Sequence, residues 1–172
     1  MLGDDTILLR APEPADVDGM YLMENDPEIW TDGVTFAPLS RKQLWDYVES
    51  YDGNIFAMGQ LRMVIRMAVD NTMAGMVDLY DYDRVNRRAY VGITVAKPMR
   101  GQGIATRALT ILCDYCRAQL GMHQLAAIVR VDNEASRKAF SKCGFKECGV
   151  MKSWVRKGQD WTDALQMQCI LE

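Results

Sequence analysis

No segment of the chain approaches the roughly 18 consecutive apolar residues of a membrane-spanning helix, which excludes a helical span. The start, Met1-Leu2-Gly3-Asp4-Asp5, has no basic residue ahead of an apolar run, so it does not read as a signal peptide. A cytoplasmic protein with no membrane partner is expected. The one histidine, His123, stands near Gly121 in a connection and reads as a turn residue rather than a base. Cysteine is sparse and scattered. Cys113 and Cys116 form a C-x-x-C inside a helical pattern, with no second pair at metal spacing, and Cys143, Cys148 and Cys169 stand apart, so neither a metal nor a disulfide is expected. No basic stripe interleaves with aromatics and the net charge is -3, which argues against a nucleic-acid partner.

What is present is ordinary for a globular domain. The 172 residues are 49% hydrophobic and 25% charged, enough for one domain, 1–172, around a single core. The charge is unevenly spread. Residues 1–60 hold twelve acids against three bases, a local net of -9, so the rest of a chain whose total is -3 carries +6.

Periodicity orders the elements. Thr6 to Arg10 reads as an edge strand ended by Pro12 and Pro14, and Ala15 to Asn25 as a helix with Val17, Met20, Tyr21 and Glu24 at three-and-four spacing. Residues 26–39, with Pro27, Gly33 and Pro38, read as an irregular linker. Ser40 and Gln43 form a capping box for a second helix whose stripe is Leu44, Tyr47, Val48 and Tyr51, stopping at Gly53. Leu61 to Val69 and Ala74 to Tyr80 flank Asp70-Asn71-Thr72 as a hairpin. Arg87 to Ala96 is the next strand, Ile104 to Leu120 a long amphipathic helix, Leu125 to Val131 a buried strand, and Glu134 to Lys142 a short helix capped by Asp132-Asn133. Phe145 to Val155 and Ala164 to Leu171 close the chain as a strand pair. The expected class is α/β, with about seven strands in a mixed sheet and about four helices.

The stretch that carries chemistry is Arg100-Gly101-Gln102-Gly103-Ile104-Ala105-Thr106-Arg107, set where a strand gives way to a helix. Two glycines two apart keep side chains off a ligand, and the first N-H groups of a helix have no internal acceptor. The helix dipole favours an anion there by roughly 0.3 to 1 kcal/mol, and Arg100 and Arg107 add formal charge. The turn is therefore expected to cradle a pyrophosphate. A P-loop is excluded because no lysine follows Gly103, and a dinucleotide fingerprint because no third glycine follows. What fits is Arg-x-x-Gly-x-Ala, Arg100 through Ala105.

That motif resembles the coenzyme A pyrophosphate turn of Gcn5-related N-acetyltransferases, and four more pieces match in order. They are Asn86-Arg87-Arg88-Ala89, Val131-Asp132-Asn133-Glu134, Gly144-Phe145, and Gly158-Gln159-Asp160-Trp161-Thr162-Asp163-Ala164. From about Gly75 to Leu171 the chain is similar to the subgroup containing spermidine and ribosomal-protein N-terminal acetyltransferases. The resemblance implies a single-domain fold of that family, with a mostly antiparallel sheet. It implies acetyl-CoA as cosubstrate, held by Ile93, Thr94 and Val95, by Arg100, Gly101, Gln102, Gly103, Ile104, Ala105 and Thr106, and by Asn133 and Ser136. In that architecture the first half builds the acceptor side, so the acidic front is expected to draw in a cationic amine and the basic back to hold the coenzyme.

The implied reaction is direct attack of a neutral amine on the thioester carbonyl, with main-chain donors polarising the oxygen. Spermidine-type relatives place a tyrosine where this chain has Phe140, which has no proton to give. The ribosomal-protein type carries Asn-x-x-Ser, as in Asn133-Glu134-Ala135-Ser136, so Ser136 becomes the donor candidate, with helix capping as its other reading. Many relatives have glutamate at Tyr90, whose phenol, of reference pKa about 10, is a poor base; Tyr90 is kept as a substrate-binding candidate. Glu24 is the candidate for amine recognition, and Asp78 and Asp81 for proton removal through water. The expected acceptor is a primary amine, either a polyamine or a protein N-terminus. A coenzyme A-binding module without turnover is the alternative, and the resemblance leaves room for a homo-oligomer through the last strands.

Overall fold

The computed structural model describes residues 2–30 and 37–171, the side chains of residues 29 and 30 excepted. Residues 31–36, the middle of the expected linker, lie outside the described residues. The strands are β1 (Leu2–Gly3), β2 (Ile7–Arg10), β3 (Leu61–Met67), β4 (Met73–Asp83), β5 (Arg88–Val95), β6 (Gln124–Arg130), β7 (Lys146–Lys157) and β8 (Asp160–Ile170). The helices are α1 (Val17–Glu24), α2 (Pro27–Trp30), α3 (Arg41–Glu49), α4 (Ile55–Met58), α5 (Ile104–Ala118) and α6 (Glu134–Lys142).

All eight strands share one sheet in the order β1-β2-β3-β4-β5-β6-β8-β7, antiparallel except for β5 beside β6. The expected α/β class and mixed sheet are met. The eighth strand is the Leu2–Gly3 pair laid on β2, and α2 and α4 are single turns added to the four longer helices.

Local chemistry explains the boundaries. Ser40 accepts from the Gln43 amide while Gln43 returns a bond to the Ser40 amide, starting α3 as the capping box requires. The helix ends at Glu49 rather than at Gly53, because the Ser50 hydroxyl folds back onto the Asp46 and Tyr47 carbonyls. Tyr51 therefore leaves the helical stripe, and its hydroxyl clasps the main chain of Arg62 at the head of β3. Pro14–Asp16 winds as a 3-10 turn, so α1 begins at Val17. The last hairpin is longer than its apolar run suggested, since β7 extends to Lys157 and β8 begins at Asp160.

Two cores sandwich the sheet. On one face α5 lays Ile104, Ala108, Leu109, Leu112 and Cys116 against Val77, Leu79, Val91, Leu125 and Met167, joined by Phe140 and Phe145 from the α6 end. Burying each such large side chain is worth roughly 1.5 to 3 kcal/mol. On the other face Val17, Met20 and Met23 of α1 meet Leu44 and Val48 of α3 over Met76. From Met76 to Tyr80 the even-numbered residues of β4, like those of β3, point toward α1 and α3, and that parity brings Arg62, Asp78 and Tyr80 to this side. The bulge at Ile65/Arg66 reverses it at the start of β4, where Met73 meets the α1 side and Ala74 the α5 side.

Candidate functional site

β5 and β6 run together only at their start, Arg88 to Tyr90 against Gln124 to Ala126. Beyond that, β5 follows β4 as far as Val95, while β6 follows β8 over its whole length. Each strand stays with its antiparallel partner, and a gap opens between them. Ala96 donates to the Ala74 carbonyl at 2.9 Å, and a Cβ on Gly75 would strike the Thr94 carbonyl, so the even-numbered main chain of β5 faces β4. By the two-residue alternation of a ladder, the main-chain groups of Ile93 and Val95 face the gap. Unpaired strand edges seek a partner. Of the three strand residues expected to hold the coenzyme, Ile93 and Val95 present amides there, whereas the Thr94 amide belongs to the β4 ladder.

The gap leads into the glycine turn. Gly101 and Gly103 have φ of +76° and +79°, conformations in which an L side chain is strained. Arg107 donates to the Gly103 carbonyl at 3.1 Å, closing the first turn of α5. The amides of Ile104, Ala105 and Thr106 precede that bond, at the positive end of the helix dipole. The Arg100 Nε donates to the Val95 carbonyl at 3.0 Å and Gln102 Nε2 to the Pro98 carbonyl at 3.0 Å, fixing the loop from inside.

The cations around this turn are paired with acids from the front of the chain. Lys97 Nζ lies 3.2 Å from Asp26 and 3.2 Å from Glu28, Arg100 Nη1 lies 3.6 Å from Glu28, and Arg107 Nη1 lies 2.9 Å from Asp4. Those carboxylates lower the net positive charge around the turn. Asp16 is paired with Arg10 and Arg66, Asp18 with Arg41, and Asp46 with Lys42. Several front acids thus meet bases from the rest of the chain, so part of the charge division seen along the sequence is balanced in space.

Across the gap, Asn133 caps α6, its side-chain oxygen accepting the Ser136 amide at 3.1 Å. Capping is therefore the task of Asn133, which keeps its own NH2 as a donor. The Ser136 hydroxyl is not the cap, and Ser136 is half-buried on the first turn of α6. Phe140 is buried in the main core, edge-on to Phe145 with centroids 4.9 Å apart, so its ring serves packing.

The acceptor-side candidates meet at a residue that sequence reasoning missed. Arg62 bridges Asp78, Nε to Oδ1 at 2.7 Å and Nη2 to Oδ2 at 3.0 Å, and Glu24, Nη1 to Oε1 at 2.5 Å. Neither carboxylate is presented as a bare anion; the structure hands both to an internal cation. Tyr47 of α3 lies 5.8 Å from the guanidinium, and Tyr80 stacks on Tyr90 at 5.6 Å with planes 21° apart. Burial, then the charges of Asp81, Tyr90 and Asp78, push the Tyr80 phenol up to about 12. Asp81 sits at the break in the β4–β5 ladder with φ of +51°. The signal for Arg62 was its place as one of two arginines, with Arg66, inside an otherwise apolar strand, and it stands directly across the ladder from Asp78.

No helix among the described residues is long and apolar enough to cross a membrane. The five thiols are free, and burial raises those of Cys113, Cys116, Cys143 and Cys169, which is the behaviour of packing residues.

The sequence matches the family described as Acetyltransferase (GNAT) domain over residues 6–146. It is 38% identical over 80 residues to a putative ribosomal N-acetyltransferase, YdaF, of Bacillus subtilis, covering 46% of this chain and 44% of that protein. It is 32% identical over 123 residues to the spermidine N(1)-acetyltransferase of Escherichia coli, covering 71% of this chain and 64% of that one. The chain thus spans less than two thirds of the length of both relatives. The crystal structure of spermidine N-acetyltransferase from Vibrio cholerae in complex with CoA and spermine superposes with a TM-score of 0.84 over 98% of this chain and 97% of that one, at 22% identity. With residues 6–146 matched to the family and the fold shared, the chain belongs to the GNAT acetyltransferases.

Proposed function

We propose that the chain is an acetyl-CoA-dependent N-acetyltransferase that passes the acetyl group directly to a primary amine. The observation that carries this reading is the gap beside Ile93 and Val95, continuous with a glycine turn whose amides lie at a helix start. A pantetheine arm is an amide chain, and an unpaired strand edge is the surface that hydrogen-bonds it; the diphosphate matches the turn, held by Gly101, Gln102, Gly103, Ile104, Ala105 and Thr106. Asn133 offers its NH2 from the opposite wall. Bound there, the thioester supplies an activated acyl group, and Ser136 is positioned as proton donor to the departing thiolate.

The acceptor is a polyamine or a protein N-terminus; the relatives are named as a spermidine N(1)-acetyltransferase and a putative ribosomal N-acetyltransferase. Glu24, Asp78 and Tyr90 border the acceptor side, with Arg62 holding the first two in place and Asp78 or Asp81 relaying the proton through water. Thiol release from acetyl-CoA against spermidine, spermine and short Ala- or Ser-starting peptides tests the reading. Release with one class assigns the acceptor. Tight acetyl-CoA binding with no release from any amine makes the chain a non-catalytic coenzyme A-binding module instead.

Self-association belongs to the same reading. One structural neighbour is a dodecameric spermidine N-acetyltransferase. In this chain β7 ends the sheet with one unpaired edge, and Val150, Trp154, Trp161 and Ile170 are exposed on its hairpin. Size-exclusion chromatography with light scattering measures the state directly, and a monomer at high concentration removes this part.

A further inference from the structure

Three carboxylate contacts converge on the two cations at the entrance to the glycine turn. Lys97 lies between Asp26 and Glu28, 3.2 Å from each, and the second oxygen of Glu28 reaches Arg100 at 3.6 Å. Both acids belong to the short segment of α2, Asp26 at its head with Oδ1 accepting the Glu28 amide at 3.0 Å. That segment begins two residues after Glu24, the α1 acid on the acceptor side. Lys97 and Arg100 are about half exposed and Glu28 more so, so the Glu28 pairs exchange readily with solvent ions, whereas Asp26, 18% exposed, is the more sheltered partner of Lys97.

A diphosphate entering the turn seeks the same two cations. It also brings its own negative oxygens against both acids, and like charges on one ammonium repel. The anion and α2 therefore compete for one place. We propose that Asp26 and Glu28 are resident counter-ions of the cradle, which hold α2 against Lys97 and Arg100 and release it when the diphosphate binds. The inference rests on the reading of the turn as a diphosphate site. The raised affinity of Lys97 for its proton, from hydrogen bonds to Asp26 and Glu28, agrees with a cation already in use.

The test is calorimetric titration of the full chain with acetyl-CoA, beside hydrogen exchange of the peptide covering α1 and α2. In a Glu28→Gln, Asp26→Asn double variant, binding tightens by about threefold or more, the scale that exposed ion pairs allow. Asp18→Asn, which removes a distant acid paired with Arg41, leaves affinity unchanged. In a Lys97→Met background the gain from the double variant shrinks, because the contested cation is gone. In the unaltered chain, exchange in α2 speeds up on adding acetyl-CoA. Affinity unmoved by the double variant, a gain equalled by Asp18→Asn, or α2 exchange that slows on binding each overturns the latch while leaving the diphosphate site standing. Failure of the unaltered chain to bind acetyl-CoA sinks the site and the latch together.

Discussion

Arg62 grips Asp78 edge-on, with Nε on one carboxylate oxygen at 2.7 Å and Nη2 on the other at 3.0 Å, across directly paired positions of β3 and β4. Burial opposes the guanidinium charge, yet Asp78 and then Glu24 more than offset it and raise its pKa. This end of β3 and β4 is thus organised around an internal cation, with the Tyr51 hydroxyl donating to the Arg62 carbonyl at 2.6 Å and fixing the strand beneath.

Removing that cation leaves two partly buried carboxylates facing each other. Arg62→Met is expected to destabilise the fold by about 3 kcal/mol, whereas Asp78→Asn costs about 1 to 2 because Glu24 still balances the arginine. Urea denaturation measures both. The kinetics of the folded Asp78→Asn chain then separate two roles: a fall in kcat marks proton relay, and a rise in the KM of the amine alone marks an anchor for Arg62.

Ser136→Ala tests the proton donor without disturbing the helix start, since the cap is the Asn133 oxygen. Turnover is expected to drop about a hundredfold with acetyl-CoA affinity unchanged. Unchanged turnover removes Ser136 from the chemistry. Asn133→Ala, by contrast, is expected to cost about 1 kcal/mol of stability through the lost cap.

Gly103→Ala meets no atom within 4 Å, so its effect is conformational and directed at the ligand. At φ of +79° a Cβ strains the backbone by about 1 to 2 kcal/mol, and on the proposed reading it stands where the phosphate would approach. Calorimetry should show acetyl-CoA binding about tenfold weaker or worse, with melting lowered by only a few degrees. Equal affinity in the variant argues against the turn as the anion site.

Asp132 supplies a pH signature. Its hydrogen bonds to Arg130 and then Lys157 bring the carboxyl down to about 2 from 3.8, tying the end of β6 to β7. A depressed folded-state pKa contributes stability that is fully present above 3.8 and lost as pH falls toward about 2. Asp132→Asn should therefore flatten the stability profile across that window and leave the slope above it unchanged, as read by thermal melts from pH 5 to about 2. An unaltered acid limb refutes the assignment.

The elements that were legible in the sequence are the ones set by neighbours a few residues apart. The capping box at Ser40, the hairpin at Asn71, the apolar stripe of α5 and the positive-φ glycines of the turn all depend on local spacing. Boundaries moved where a side chain found a nearer acceptor, as Ser50 did at the end of α3. The family motif and its order along the chain were equally local, and with them the α/β class and the place of the glycine turn before α5.

Only the tertiary structure decided which charges meet. Glu24, Arg62 and Asp78 come from three elements, Lys97 finds Asp26 and Glu28, and Arg107 finds Asp4 103 residues away in the sequence. Composition counted those acids as a field able to attract an amine; the fold spends most of them on its own arginines and lysines. The same holds for the opening between β5 and β6, which exists because each strand keeps a different antiparallel partner. Sequence specifies short-range geometry because torsions and i, i+4 neighbours are written in it directly, while pairings between distant segments depend on how the sheet is ordered.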